Sequence, residues 1–245
     1  MAAAARRISP CWAGTAVGAA TVVALVAGCA TGGTVFNEVD LKALLHSHGT
    51  QSGGGAGSVE IAVSASRADT AEGRFSVVIA EPARVGESWT SAAWSAATVG
   101  TLAAGVDPRG LTIEFQPSNT DEGSVDSALL AVGVLAADRA QARLTESATL
   151  LGSVLPSGGI ANVTGIPATL REASAAGLET VLIPQGQEFA VDPRDGARVD
   201  VVAEGAALGL DVVEVSSLRE AYERLAATPA PRPGGTAPAI AGELL

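Results

Sequence analysis

Histidine is nearly missing from this chain: of 245 residues only two, His46 and His48, are histidine, and both stand beside a glycine-rich stretch. A Ser-His-Asp triad therefore has no imidazole to use in the remainder of the sequence, unless that stretch folds back. The pair is read as solvent-exposed rather than as metal ligands, and no metal or cofactor is expected. Lysine is scarcer still, with Lys42 alone. No G-K-[ST] can be written, so a Walker A phosphate loop is excluded. Schiff-base chemistry in the folded region is also excluded, because Lys42 stands before that region, beyond a glycine-rich linker. The two cysteines, Cys11 and Cys29, sit near the N-terminus and build neither a disulfide framework nor a Cys-rich zinc site. Aromatics are 3%, which leaves a core of small aliphatic side chains. Positive charge is short: 15 basic against 26 acidic residues give a net charge of -11. That balance argues against sequence-independent nucleic-acid binding, which needs a basic surface to displace phosphate counterions.

Hydrophobic residues make up 47% of the chain and charged residues 17%, enough for one core and too apolar for a disordered polyelectrolyte. The first 28 residues have the pattern of a secretory signal peptide: Arg6 and Arg7 without an acid, then an uncharged apolar run from Trp12 to Gly28. The run ends in Val26-Ala27-Gly28-Cys29, which resembles the lipobox of bacterial lipoproteins. That resemblance implies cleavage before Cys29, a diacylglycerol on its sulfur, and a domain held on the membrane outside the cytoplasm. An uncleaved apolar anchor is the alternative, and it places the domain on the same side. Residues 29–58 read as a lipidated N-terminus and flexible linker, rich in glycine near its end, with a short helix from Asn37 to His48 on the spacing of Leu41, Leu44 and Leu45. Residues 228–245 have the Pro/Gly/Ala composition of a disordered tail.

Residues 59–227 alternate between strand and helix patterns. Val59–Val63 and Arg74–Ala80 read as strands joined by a polar turn, an antiparallel hairpin. Glu87–Ala104 is Ala-rich, with Trp89, Ala93, Ala96 and Gly100 at helical spacing. Leu111–Phe115 alternates as a half-buried strand, and Ser127–Ala137 reads as a buried helix. Thr149–Val154 is a strand before a Pro-Ser-Gly-Gly turn, and Ala168–Ala176 a helix stopped by Gly177. Thr180–Pro184 is an apolar strand, Val199–Leu208 a helix and Asp211–Val215 a strand. A last helix opens on the capping box Ser217-Leu-Arg-Glu220. The expected fold class is α+β (mixed α/β), one domain on one core.

Two blocks carry a family resemblance. Gly152-Ser-Val-Leu-Pro-Ser-Gly-Gly-Ile160, followed by Ala175-Ala-Gly-Leu-Glu-Thr-Val-Leu-Ile-Pro184, resembles the proteolytic domain of Lon-type serine peptidases. There a strand ending G-x-V-L-P-I-G-G leads through a helix into A-G-x-K-x-V-L-I-P. Gly86-Glu-Ser-Trp-Thr-Ser-Ala-Ala, Leu111–Pro117 and Asp211–Ala227 are similar to other parts of that domain, so the likeness spans nearly all of residues 59–227. The family works by a Ser-Lys dyad, in which a desolvated lysine takes the serine's proton. The resemblance places the nucleophile at Ser127, within Asp126-Ser127-Ala128, with Ser124 the other candidate. Counted back from Thr180, the lysine position is Thr169; counted forward from Gly158-Gly159 it is Val163. Neither is a base, and the nearby Arg171 does not deprotonate. Thr145 matches the family's supporting threonine. Asp121, Asp126 and Glu146 are the carboxylates that would replace the amine if burial raised their pKa.

Two functions follow from the resemblance. One is a degenerate, envelope-anchored pseudo-peptidase that binds a peptide or unfolded protein; the other is an ATP-independent serine endopeptidase using Ser127 with a base other than lysine. Beside these two, the resemblance also allows a self-assembling scaffold, since Lon-type domains form homo-oligomers. The partners implied are peptide or unfolded protein and the membrane through the N-terminal lipid, with no nucleic acid.

Overall fold

A computed structural model describes residues 33–44, 58–68, 73–80, 86–118, 124–139, 142–192, 194–226 and 228–230. Cys29, His46, His48, Asp121 and most of the expected C-terminal tail lie outside these residues, as do the apolar run and the lipobox. The described residues, all from Gly33 onward, belong to one compact unit. The fold is α+β.

Strand β1 (Gly33–Leu44) occupies what the sequence marked as a helix-bearing linker. Val39, Leu41 and Ala43 are buried while Glu38 and Asp40 are exposed, the period of two that a strand on a core requires. β1 pairs antiparallel with β2 (Ser58–Ala68), so the folded domain begins before residue 59 and contains Lys42. Sequence reasoning that set the sole lysine outside the domain is corrected by this pairing. The expected hairpin between Val59–Val63 and Arg74–Ala80 is also corrected. β3 (Ser76–Ile79) does not pair with β2; after helix α1 (Glu87–Ala104) the chain returns as β4 (Leu111–Pro117), which pairs with β3 in parallel and with β2 antiparallel. A parallel pair needs a crossover, and α1 supplies it. Together the strands form a sheet ordered β1-β2-β4-β3.

Helix α2 (Ser127–Ala137) is buried at all eleven positions, which explains why its sequence is apolar all round. It meets α1 where Gly100 leaves room, since a Cβ there would come within 2.8 Å of Val134 Cβ and 2.9 Å of the Ala131 carbonyl. It meets β1 at Gly133, where a Cβ would approach Leu41 Cδ1 at 2.7 Å. The expected strand Thr149–Val154 is broken at Gly152, whose φ of +118° divides it into β5 (Ala148–Leu150) and β6 (Ser153–Val154). β6 pairs antiparallel with β7 (Ile160–Ala161).

Helix α3 (Ile166–Ala175) starts two residues earlier than its sequence pattern suggests, with Pro167 in its first turn, and Gly177 follows it at φ 73°. β8 (Thr180–Pro184) is the centre of a parallel sheet ordered β11-β8-β5. Its residues are apolar on both faces because Val181 and Ile183 pack with α3 while Leu182 packs toward α2. The hairpin β9 (Phe189–Val191) and β10 (Arg198–Asp200) precedes α4 (Val201–Ala207), so the expected helix at Val199 begins two residues later, capped by Asp200. β11 (Asp211–Val215) leads into α5 (Leu218–Ala226), where Ser217 Oγ accepts from the Glu220 N–H at 3.3 Å and Glu220 in turn accepts from the Ser216 N–H at 3.0 Å. The expected tail does not begin at Thr228: Ala230 is buried, and its N–H donates to Glu223 Oε1.

One ion network joins α3 to the β9–β10 hairpin and α4. Arg171 donates to both Asp192 oxygens, at 3.0 and 3.2 Å, and to Glu204 at 2.6 Å. The Arg194 backbone N–H, and after it the Arg171 guanidinium, hold the Asp192 carboxyl below the usual carboxylate range. A depressed folded pKa stabilises the fold above the ordinary carboxylate pKa, and that contribution fades as pH falls through the lowered value. Arg171→Met is therefore expected to lower Tm at about pH 7 and to narrow the gap to wild type at an acid pH below that lowered value, where Asp192 is protonated in both. Thermal unfolding at the two pH values measures it; a gap that widens in acid contradicts the assignment.

Candidate functional site

Ser127 opens α2, at the point where the chain leaves the extended Asp126 (φ -72°, ψ 117°) and enters the buried helix. The Asp126 carboxylate makes no capping bond to the helix. Ser127 itself is 5% exposed. Its Oγ accepts a hydrogen bond from the Val154 N–H at 3.0 Å, and the next residue's N–H, Ala128, donates to the Gly152 carbonyl at 3.1 Å. These two bonds lock the first turn of α2 to the segment before and inside β6. Gly152 is required there: at φ +118° its backbone turns the carbonyl toward the helix, and a Cβ would fall 2.7 Å from Ile160 Cγ2.

The chemistry available to this serine is limited by its partners. An amide N–H aimed at Oγ would stabilise an alkoxide but accepts no proton, so nucleophilic attack still requires a base. The Ala128 N–H, one of the helix-start donors that would hold an oxyanion, is already bonded to Gly152.

Thr169 lies in the second turn of α3, 3% exposed, with its Oγ1 donating to the Gly165 carbonyl at 3.3 Å. Its helix neighbours Ile166 and Leu170 belong to a core distinct from that of Val125 and Ala128 beside Ser127. Val163, the other position counted for the lysine, is clamped by an amide: Gln187 Oε1 accepts from the Val163 N–H at 2.9 Å and Gln187 Nε2 donates to the Val163 carbonyl at 2.7 Å. Thr145 binds α5, its Oγ1 donating to the Leu225 carbonyl at 2.9 Å. Glu146 is exposed and Ser124 is half-buried.

Lys42 is the residue that sequence reasoning misplaced. Its Nζ donates to the Ala176 carbonyl at 2.6 Å, at the C-terminal end of α3, where a cation meets the negative end of the helix dipole. That carbonyl lies seven residues beyond Thr169, about 10 Å along the helix axis. On β1, Leu41 and Ala43 face the core of α2 while Leu44, on the side of Lys42, faces the core of α3. The alternation of β1 with Glu38, Asp40 and Lys42 was the signal that would have placed this amine.

The exposed part of the site is the turn after β6. Leu155 is 42% exposed, Pro156 and Ser157 are exposed, and Ser153, between Gly152 and Val154, is exposed as well. The turn is fixed from below, since the Leu218 N–H donates to the Gly158 carbonyl at 2.8 Å and the Leu155 N–H to the Gly159 carbonyl at 2.8 Å.

Among the described residues no group of three or more His, Cys, Asp or Glu stands together as a metal site, and no helix is long and apolar enough to cross a membrane. No model of a known protein family matches the chain, and no curated protein matches it.

Proposed function

We propose that the protein is a Lon-type peptidase-like domain that has lost hydrolysis and binds a peptide or unfolded protein, held at the cell envelope through Cys29. One observation carries the loss of chemistry: Ser127 is buried with its Oγ bonded to the Val154 amide, while the lysine position is Thr169, bonded to Gly165 on its own helix. A serine at its ordinary pKa with no base beside it is a weak nucleophile. Supporting the family reading, the block from Gly152 to Ile160 forms strand and turn, and the block from Ala175 to Pro184 forms a helix end and β8, in the order the resemblance implies. The binding surface is the exposed Ser153–Ser157 turn with Leu155. The endopeptidase reading draws on Asp126, buried and adjacent to Ser127 in the chain, which would have to take the Oγ proton.

Fluorescently labelled casein, an unfolded protein, tests the proposal. Binding should shift its anisotropy without producing fragments, and Leu155→Ser should weaken that binding. Fragments that disappear in Ser127→Ala would establish the endopeptidase instead, and the absence of both binding and cleavage would remove the peptide-binding reading.

A further inference from the structure

The outer face of α1 is unlike the rest of this acidic chain. Ser91, Trp94, Ser95, Thr98 and Leu102 are exposed along it, and the helix carries one charge, Glu87, at its start. Trp94 is 46% exposed and Leu102 59%, and neither is covered by the described chain. Phe75 meets the Trp94 ring edge-on, with centroids 6.2 Å apart. Surface apolar residues are ordinary when scattered, but Trp94 and Leu102 share one face of α1, with Phe75 against the indole, and the helix carries no charge after Glu87.

Their position in the sheet is informative. Gly33 pairs with Ala68, Arg67 with Leu111, and Thr112 with Ser76, so the start of β1 and the start of β3 lie at the same end of the sheet. Phe75 precedes β3 at that end, and Leu102 lies in the last turn of α1, shortly before the chain enters β4. Three strand spacings, about 14 Å, separate the β1 and β3 edges. Four residues of chain from Cys29 to Gly33 reach at most about 14 Å.

We propose that the Trp94–Leu102 face of α1, with Phe75 beside it, rests on a phospholipid bilayer. The proposal depends on the lipoprotein reading of Cys29. With the chain net negative at -11, its acidic faces are repelled by anionic lipid, and the α1 face, without charge beyond Glu87, approaches at little such cost. An indole at the edge of an apolar patch is suited to the headgroup boundary, where its ring is dehydrated and its N–H stays wet. A short tether converts weak contact into sustained contact, because the lipid keeps the patch at high local concentration over the surface.

The test uses the full chain after membrane processing, reconstituted into phosphatidylcholine–phosphatidylglycerol vesicles with or without bromine on the acyl chains. After cleavage at Cys29 the tryptophans are Trp89, 1% exposed, and Trp94. Bromolipid should cut emission about two-fold if the indole reaches the acyl boundary, and Trp94→Phe should remove most of that quenching. Trp94 is half-exposed, so this variant keeps the core intact. A chain that floats with vesicles, stops floating as Cys29→Ala, and is not quenched would overturn the docking and leave the anchor standing. Self-association that covers Trp94 gives the same unquenched result and overturns the proposal equally. Failure to float with or without Cys29 would remove the anchor reading and the docking with it.

Discussion

Gly152→Val is expected to lower stability by about 4 kcal/mol, combining backbone strain with overpacking. Glycine holds φ +118° at this position, a region that a β-branched residue avoids. Its missing Cβ also admits three neighbours: Ile160 Cγ2 at 2.7 Å, the Ala161 carbonyl at 2.9 Å and Pro184 Cγ at 3.1 Å from where that atom would stand. One is backbone in the β6–β7 pair and cannot move without breaking the pairing. Any shift of Gly152 also pulls its carbonyl from the Ala128 N–H and opens the first turn of α2. For a chain of this size the change corresponds to a Tm lower by about 10 °C. A variant melting within about 2 °C of wild type would mean that the latch between Gly152 and α2 contributes little.

Gly100→Val is expected to cost about 3 kcal/mol for a different reason, overpacking without strain. Gly100 is helical, so valine meets no forbidden φ there; what it meets is Val134 Cβ at 2.8 Å and the Ala131 carbonyl at 2.9 Å on α2. α2 is buried at all eleven positions, so it has little freedom to retreat. Gly100→Ala should cost less, because alanine's helix propensity, worth about 1 kcal/mol over glycine, offsets part of the clash. Denaturant midpoints for the two variants check the ordering. Equal midpoints would place the tight α1–α2 contact elsewhere.

Much of this architecture could be read from the residues because several elements announce themselves locally. α1, α2, β8 and β11 have the bounds that their apolar patterns predict, since each is either long and periodic or a short apolar run bounded by turn residues. The elements misread are those whose partners are distant. Leu41, Leu44 and Leu45 fit a helix, while Val39, Leu41 and Ala43 fit a strand. The strand prevails because β2 offers an edge and α2 offers a core to cover. The hairpin assigned to β2 and β3 failed because chain proximity was taken for pairing, although strand, helix and strand from β3 to β4 is the pattern of a parallel crossover.

At the site, the position of Ser127 at the head of a buried helix was legible, and its partners were not. The Val154 N–H lies 27 residues away in sequence, and the Lys42–Ala176 bond spans 134. No local pattern reports such contacts. Lys42 illustrates the point: its residue type suggests chemistry, but its place on β1 and its bond to the end of α3 give it a structural task.

The central claim is that the serine heading α2 supports the fold and does not attack substrate. A serine-directed fluorophosphonate, incubated with the membrane-anchored protein and followed by peptide mass spectrometry, tests this most directly. Ser127 should stay unmodified at every pH at which the protein stays folded. Stoichiometric labelling of Ser127, lost in Ser127→Ala, would contradict it.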